Sequence, residues 1–282
     1  MTVSAIAAAF VAACRDELEA PKPGNVHVFA DGHRMSVADF LRSADAAATP
    51  LTRPGARVGH RILGAVEATR ATVGTNTNLG IILLCAPLAA AAEIATTSLR
   101  AVVADVLESL DIADANLTFQ AIATASPGGL GHAERHDVRA PATVTLSQAM
   151  AEAAGRDRIA HQFSTGFEDI FDRGLGCFAQ AAARWRDPKW ATLAVYLGFL
   201  AGFPDTHIVR KYGIVAAEDV RRGAAKFEHR LDAAEEPDAL LGELLAWDRE
   251  LKARGLNPGT TADLTVATLF ARRLNEHLAA GA

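Results

Sequence analysis

The stretch GTNTNLGIILLCAPLAAAA, Gly74 to Ala92, sets five glycine or short polar residues directly before an apolar run of about 14. Leu79 to Ala92 reads as a helix, because alanine is the strongest helix former and a poor strand former. It is too short to cross a bilayer, which takes roughly 20 apolar residues, and Pro87 interrupts it. The rest of the chain continues the same way: 60 of its 282 residues are alanine and only 17 are aromatic. That composition implies an all-α fold whose small side chains let helices approach closely.

Charge and cysteine content remove several function classes. The net charge is −5, with no block dense in Lys or Arg, which argues against a nucleic-acid partner. Cys14, Cys85 and Cys177 are odd in number and far apart, so neither a disulfide framework nor a zinc site is expected. The N-terminal segment has no basic region before its apolar stretch, unlike a secretory signal. These features point to a cytoplasmic protein without a membrane partner.

Along the chain, Thr2 to Glu19 is helical in pattern, and Pro21, Pro23 and Gly24 break it. Ser36 is the expected N-cap of a helix through Ala48 that Pro50 and Pro54 stop, and Arg57 to Thr72 is the next. Helices are further predicted over Leu99–Leu110, Ala113–Thr124, Gln148–Arg184, Ala191–Phe203, Ala216–Leu231, Pro237–Arg254 and Thr260–Leu278. The least helical stretch, His132 to Ser147, holds a short β-like segment, ATVTL. With no repeat and no linker, residues 1–282 read as a single all-α domain, a bundle of about ten helices.

Polar residues gather in four loops between these helices: PKPGN from Pro21, GTNTNLG from Gly74, FPDTH from Phe203 and NPGTTAD from Asn257. Two readings fit each loop. Short hydroxyl and amide side chains cap a following helix, and free N–H groups at a helix start also hold phosphate. Four such loops at one end of a bundle would line a pocket for an anionic substrate. Lys22 is a cation on a stiff loop, and Arg210 and Lys211 follow Asp205 closely. Carboxylates beside basic residues suit a polyphosphate carrying Mg²⁺. His132 and His136, four residues apart, fit a solvated loop better than a metal site. Gly128-Gly129-Leu130-Gly131 lacks the preceding strand of a dinucleotide fingerprint, and no Walker A, HExxH or G-x-S-x-G pattern occurs.

The four loops, in order, resemble the triphosphoribosyl-dephospho-CoA synthase family. APKPGNV, Ala20 to Val26, is similar to its T-P-K-P-G-x-V segment, and Gly32-His33 with Phe40, Ser43 and Ala44 to its G-x-H…F…S-A. Glu67 ahead of Gly74-Thr75-Asn76-Thr77 resembles a Glu before G-x-N-T-H-K-G; Pro204 to His207 resembles the D-T-N loop, and Pro258 to Leu264 resembles P-G-G-x-A-D-L. The resemblance implies an all-α transferase. In its reaction the 2′-hydroxyl of 3′-dephospho-CoA attacks the ribose of ATP and adenine leaves. It further implies catalytic roles for Asp205 and Asp263, and Mg²⁺ contacts for Glu67, Asp205 and Asp263. Substrate or phosphate contacts fall to Lys22, His33, Asn76, Thr77, Arg210 and Lys211.

The chain departs from the family pattern at two of these loops. Asn78-Leu79 replaces a His-Lys pair, and DTHIVRKYG stands where the family has D-T-N-x-x-x-R-G-G. ASPGGLGHAERHDV and STGFEDIF resemble an archaeal and methylotroph-type branch. The leading expectation is triphosphoribosyl transfer from ATP with Mg²⁺. One alternative is another phosphorylated coenzyme precursor, as in one-carbon coenzyme biosynthesis. Another is a non-catalytic helical nucleotide-binding or assembly protein. Alanine-rich faces allow packing between chains as well as within one, so homo-oligomers are compatible.

Overall fold

The protein, a computed structural model describing residues 1–280, runs as α1 (Val3–Glu19), α2 (Val37–Leu51), α3 (Val58–Val73), α4 (Leu79–Ile94), α5 (Leu99–Glu108), α6 (Ile112–Ala125) and α7 (Leu146–Ala153). It continues as α8 (Arg158–Thr165), α9 (Leu175–Ala182), α10 (Pro188–Gly202), α11 (Thr206–Tyr212), α12 (Ile214–Ala233), α13 (Leu241–Ala253) and α14 (Gly259–Ala280). The all-α expectation holds, with fourteen α-helices among the described residues instead of about ten.

The extra helices come mostly from the segment read as one helix, Gln148–Arg184. Asp157 caps a new start by accepting from the Ile159 and Ala160 amides, and Gly166 ends α8 at φ +63°. A π-turn over Asp169–Gly174 then leads into α9. The β-like segment forms no strand. Its Thr145 instead caps α7, paired with Gln148 in a capping box. Among the described residues the β pairing consists of two isolated bridges, His27 with Ala30 and Gly32 with Met35. Ser36 caps α2 as predicted, in a capping box with Asp39. Pro50 does not stop that helix but lies in its last turn.

Helix α4 is apolar all round and correspondingly buried all round, with 13 of its 16 residues inaccessible. Alanines 13, 47, 65, 86, 89 and 91 are fully buried between helices, so the alanine excess serves close packing. One hydrophobic cluster surrounds α1, α4 and the body of α14, where Phe10 meets Phe270 edge to face at 5.8 Å. A second surrounds α10 and includes residues of α11, α12 and α13. Helix α10 contributes to both, Val195 and Phe199 to the first and Trp190, Leu193 and Leu197 to the second. Among the described residues no single helix is long and apolar enough to cross a membrane.

Candidate active site

The packing brings four helix starts to one place. Asp205 ties two of them together: its Oδ1 accepts from the His207 and Ile208 amides of α11 at 2.9 and 3.1 Å. Its Oδ2 accepts from the amide and the hydroxyl of Thr261 on α14, both at 2.8 Å. Thr206 Oγ1 lies 3.1 Å from Thr260 Oγ1 and accepts the Arg158 amide at 3.2 Å, which adds the start of α8. The start of α4 completes the group, because a Cβ on Gly80 would overlap the Asp263 carboxylate and stand 2.7 Å from Ile159 Cδ1. Each longer helix brings roughly half a positive charge to its N-terminus, so α4, α8 and α14 together favour negative charge here.

The Pro21–Val26 loop is clamped beside this point. Tyr196 donates its hydroxyl to Pro23 O at 2.8 Å, and His33 Nε2 lies 2.8 Å from Gly24 O. The Gly24 amide donates to Asp248 Oδ1 at 2.9 Å, and Asn25 Nδ2 donates to Asn257 Oδ1 at 2.8 Å. Gly24 has φ +83°, and a Cβ there would stand 2.8 Å from Pro258, so the close approach of the two loops requires glycine. The loops PKPGN and NPGTTAD, more than 200 residues apart in sequence, are thus packed together.

The expected site residues divide into groups. Asp263 is half-buried, and no described residue donates a hydrogen bond to it. Burial, with the nearby carboxylates of Asp205, Glu17 and Asp157, pushes its carboxyl well above the usual carboxylate range. Asp205 is fully buried, which also raises its pKa, while its four donors pull the other way. It is saturated by protein groups and therefore acts as a clamp. Lys22, at 0% exposed, is paired with Glu17 and donates to Asn25 Oδ1 at 3.0 Å, instead of being presented to a ligand. Its charge is felt at Asp263 only through space.

Burial lowers the pKa of His33, with the charges of Lys252 and then Lys211 acting the same way, and burial followed by the charge of Arg210 lowers that of Lys211. Arg210 also reaches Gly128 O at 3.2 Å and Asp157 Oδ2 at 3.5 Å, so the glycine-rich loop packs on α11. Asn76 and Thr77 have structural partners: Asn76 Oδ1 accepts the Leu79 amide at 3.1 Å, and the Thr77 hydroxyl is 2.6 Å from that of Ser43. Asn78 stands at the N-cap of α4 but does not cap it with its side chain. Glu67 is exposed on α3. Among the described residues no three His, Cys, Asp or Glu side chains form a cluster able to hold a metal ion. Glu67, Asp205 and Asp263 therefore do not fit a protein-built Mg²⁺ cage, and the same holds for His132 and His136.

Three participants escaped the sequence reading. Glu17 lies on the same helical face as Phe10 and Ala13, and a carboxylate among buried apolar positions signals a buried partner. Asp157 has the spacing of an N-cap inside a segment read as continuous helix. His207 belongs to the D-T-N-like loop, and no sequence signal marks the contact its ring makes with Gly259.

Two variants test this construction. Asp205→Asn turns one acceptor into an NH₂ facing buried donors, and urea unfolding should show a loss of about 2 kcal/mol. Gly80→Ala forces the Asp263 carboxylate away from α4. A fall in turnover of at least tenfold with the circular dichroism spectrum kept is the outcome expected of a reacting group misplaced by about 1 Å, and unchanged turnover would take Asp263 out of the site.

A family model described as ATP:dephospho-CoA triphosphoribosyl transferase matches residues 3–281. A Citrobacter koseri protein assigned as a 2-(5''-triphosphoribosyl)-3'-dephosphocoenzyme-A synthase is 26% identical, over 91% of this chain and 85% of its own length. The crystal structure of an Archaeoglobus fulgidus protein, assigned as a triphosphoribosyl-dephospho-coA synthase, shares the fold. Its TM-score is 0.65 at 23% identity, over 83% of this chain and 98% of that one. A match over nearly the whole length leaves one conclusion: the chain belongs to the ATP:dephospho-CoA triphosphoribosyl transferase family of enzymes.

Proposed function

We propose that this enzyme joins the triphosphoribosyl group of ATP to the 2′-hydroxyl of 3′-dephospho-CoA, with Asp263 at the reacting carbon. The observation that carries the reading is the Asp263 carboxylate, unclaimed by any described donor, held against Gly80 where four helices begin. In the reaction the bond from the ribose C1′ to adenine breaks and a bond from C1′ to the acceptor oxygen forms. The hydroxyl proton goes to a base and passes from it, directly or through water, to the departing adenine, which carries it in place of the ribose and leaves the base deprotonated. Positive charge develops on the ribose as in glycoside chemistry. A carboxylate of raised basicity both stabilises that charge and accepts the hydroxyl proton.

The triphosphate brings about four negative charges, which a cation within a few Å offsets by several kcal/mol at partial burial. The helix starts with Arg210 and Lys211 supply positive potential, His33 being held toward its neutral form by burial, while Lys22 stays paired with Glu17. Mg²⁺ enters with ATP as part of the substrate, and Asp205 holds α11 and α14 in register. Both substrates are metabolites of the cell interior, so the reaction belongs to the cytoplasm. The test is incubation with ATP and Mg²⁺, with and without 3′-dephospho-CoA, scored by free adenine. Release that depends on dephospho-CoA is expected. Release only with another phosphorylated precursor would overturn the acceptor assignment and leave the nucleotide half standing.

A further inference from the structure

His207 stands where the resemblance leads one to expect asparagine, and none of the roles above uses it. Its ring meets α14 edge-on: a Cβ on Gly259 would overlap Nδ1 and lie 3.1 and 3.2 Å from Cε1 and Cγ. Nε2, elsewhere on the ring, is inaccessible to solvent and has no hydrogen-bond partner among the described residues. A buried polar atom left unpaired costs stability unless a ligand or water completes it. The titratable groups that act on it are Lys211, Arg210 and His33, all basic, with His33 itself held toward its neutral form by burial. Burial and these neighbours hold the imidazole neutral, with its pKa down to about 3. A neutral imidazole still carries one N–H, and an anion is the partner its basic neighbours admit.

We infer that His207 is a binding residue for the triphosphate, its Nε2–H donating to a phosphate oxygen held by His33, Arg210 and Lys211. The inference rests on the proposed use of ATP but names a contact that the family pattern does not supply. Asparagine would offer an amide donor at this place; this chain offers a ring nitrogen set deeper and fixed by its edge contact with Gly259.

The experiment compares His207→Ala and His207→Asn with the unaltered enzyme, using inorganic tripolyphosphate and adenosine as separate calorimetric probes. His207→Ala should weaken tripolyphosphate about ten- to a hundredfold, the range for a hydrogen bond to a charged group, and leave adenosine unchanged. His207→Asn should recover most of the loss. In the steady state the KM for ATP should rise in the alanine variant, with the KM for dephospho-CoA unmoved. A ¹⁵N chemical-shift change at the His207 ring on adding tripolyphosphate to the unaltered enzyme is the direct signature. Unchanged tripolyphosphate binding in the alanine variant, or a loss confined to adenosine, would overturn the assignment. If the unaltered enzyme binds neither ATP nor tripolyphosphate, the proposed function falls first, and this contact with it.

Discussion

Replacing Asp263 by asparagine should lower turnover by about two to four orders of magnitude, the range for removing a positioned general base, with the fold intact. The side chain accepts no hydrogen bond from any described residue, so the amide breaks none. The shape is conserved, and the contact with Gly80 can be kept. What changes is charge and basicity. The carboxyl of Asp263 is pushed well above the usual carboxylate range, by burial first and by Asp205 next. A base works only when deprotonated, so kcat/KM of the unaltered enzyme should fall as pH drops through that raised value. The fall should begin at a higher pH than for an exposed aspartate. Asp263→Asn should flatten this acid limb as well as lower the plateau. A variant that folds, turns over at the original rate and keeps its pH profile would remove Asp263 from the chemistry.

Much of this arrangement was legible before the fold was known, for identifiable reasons. Helix starts are written locally: Ser36 with Asp39, three residues on, is visible as a cap in a window of a few residues. The four polar loops were legible because each interrupts an apolar helix, and the expectation that they share one end of the bundle holds for their positions in space. The use each residue makes of that position was not legible. Asp205 looks like a free carboxylate in sequence; its saturation depends on Thr261, 56 residues away. Lys22 looks like a phosphate cation, and its capture depends on Glu17, which sits on a helix face that periodicity assigns to the core. Glu67 precedes GTNT at the spacing of the family motif, yet the pitch of α3 leaves it exposed. Sequence spacing locates the loops, whereas long-range pairing decides which polar group remains free to react.

The pair of Lys22 and Glu17 carries the second large expected effect. Lys22→Met should cost about 3–5 kcal/mol at pH 7, because it leaves a carboxylate buried without its cation. Glu17 is only 3% exposed, and burial already raises its pKa, against the pull of Lys22. Removing the lysine removes that pull, so the folded-state pKa of Glu17 moves further above its unfolded value. The folded protein then binds the proton more tightly than the unfolded chain does. Stability contributed this way is fully present below the unfolded pKa and is lost as pH rises through the folded one. Urea unfolding of Lys22→Met should therefore show a smaller deficit at pH 5 than at pH 7. Glu17→Leu should destabilise in the same range, by leaving the ammonium unpaired. Its group titrates in the opposite sense, so its deficit should shrink toward high pH. The double variant Glu17→Leu/Lys22→Met removes both charges at similar volume, a change that is often neutral or stabilising for buried pairs. Asn25 Oδ1 loses the donor it has at 3.0 Å, which sets back about 1 kcal/mol or more. The double variant should still be more stable than either single one. Additive losses in the cycle would show that the two charges do not depend on each other. Because Lys22 reaches Asp263 only through space, the double variant should also keep measurable adenine release, whereas a direct phosphate role for Lys22 would abolish it.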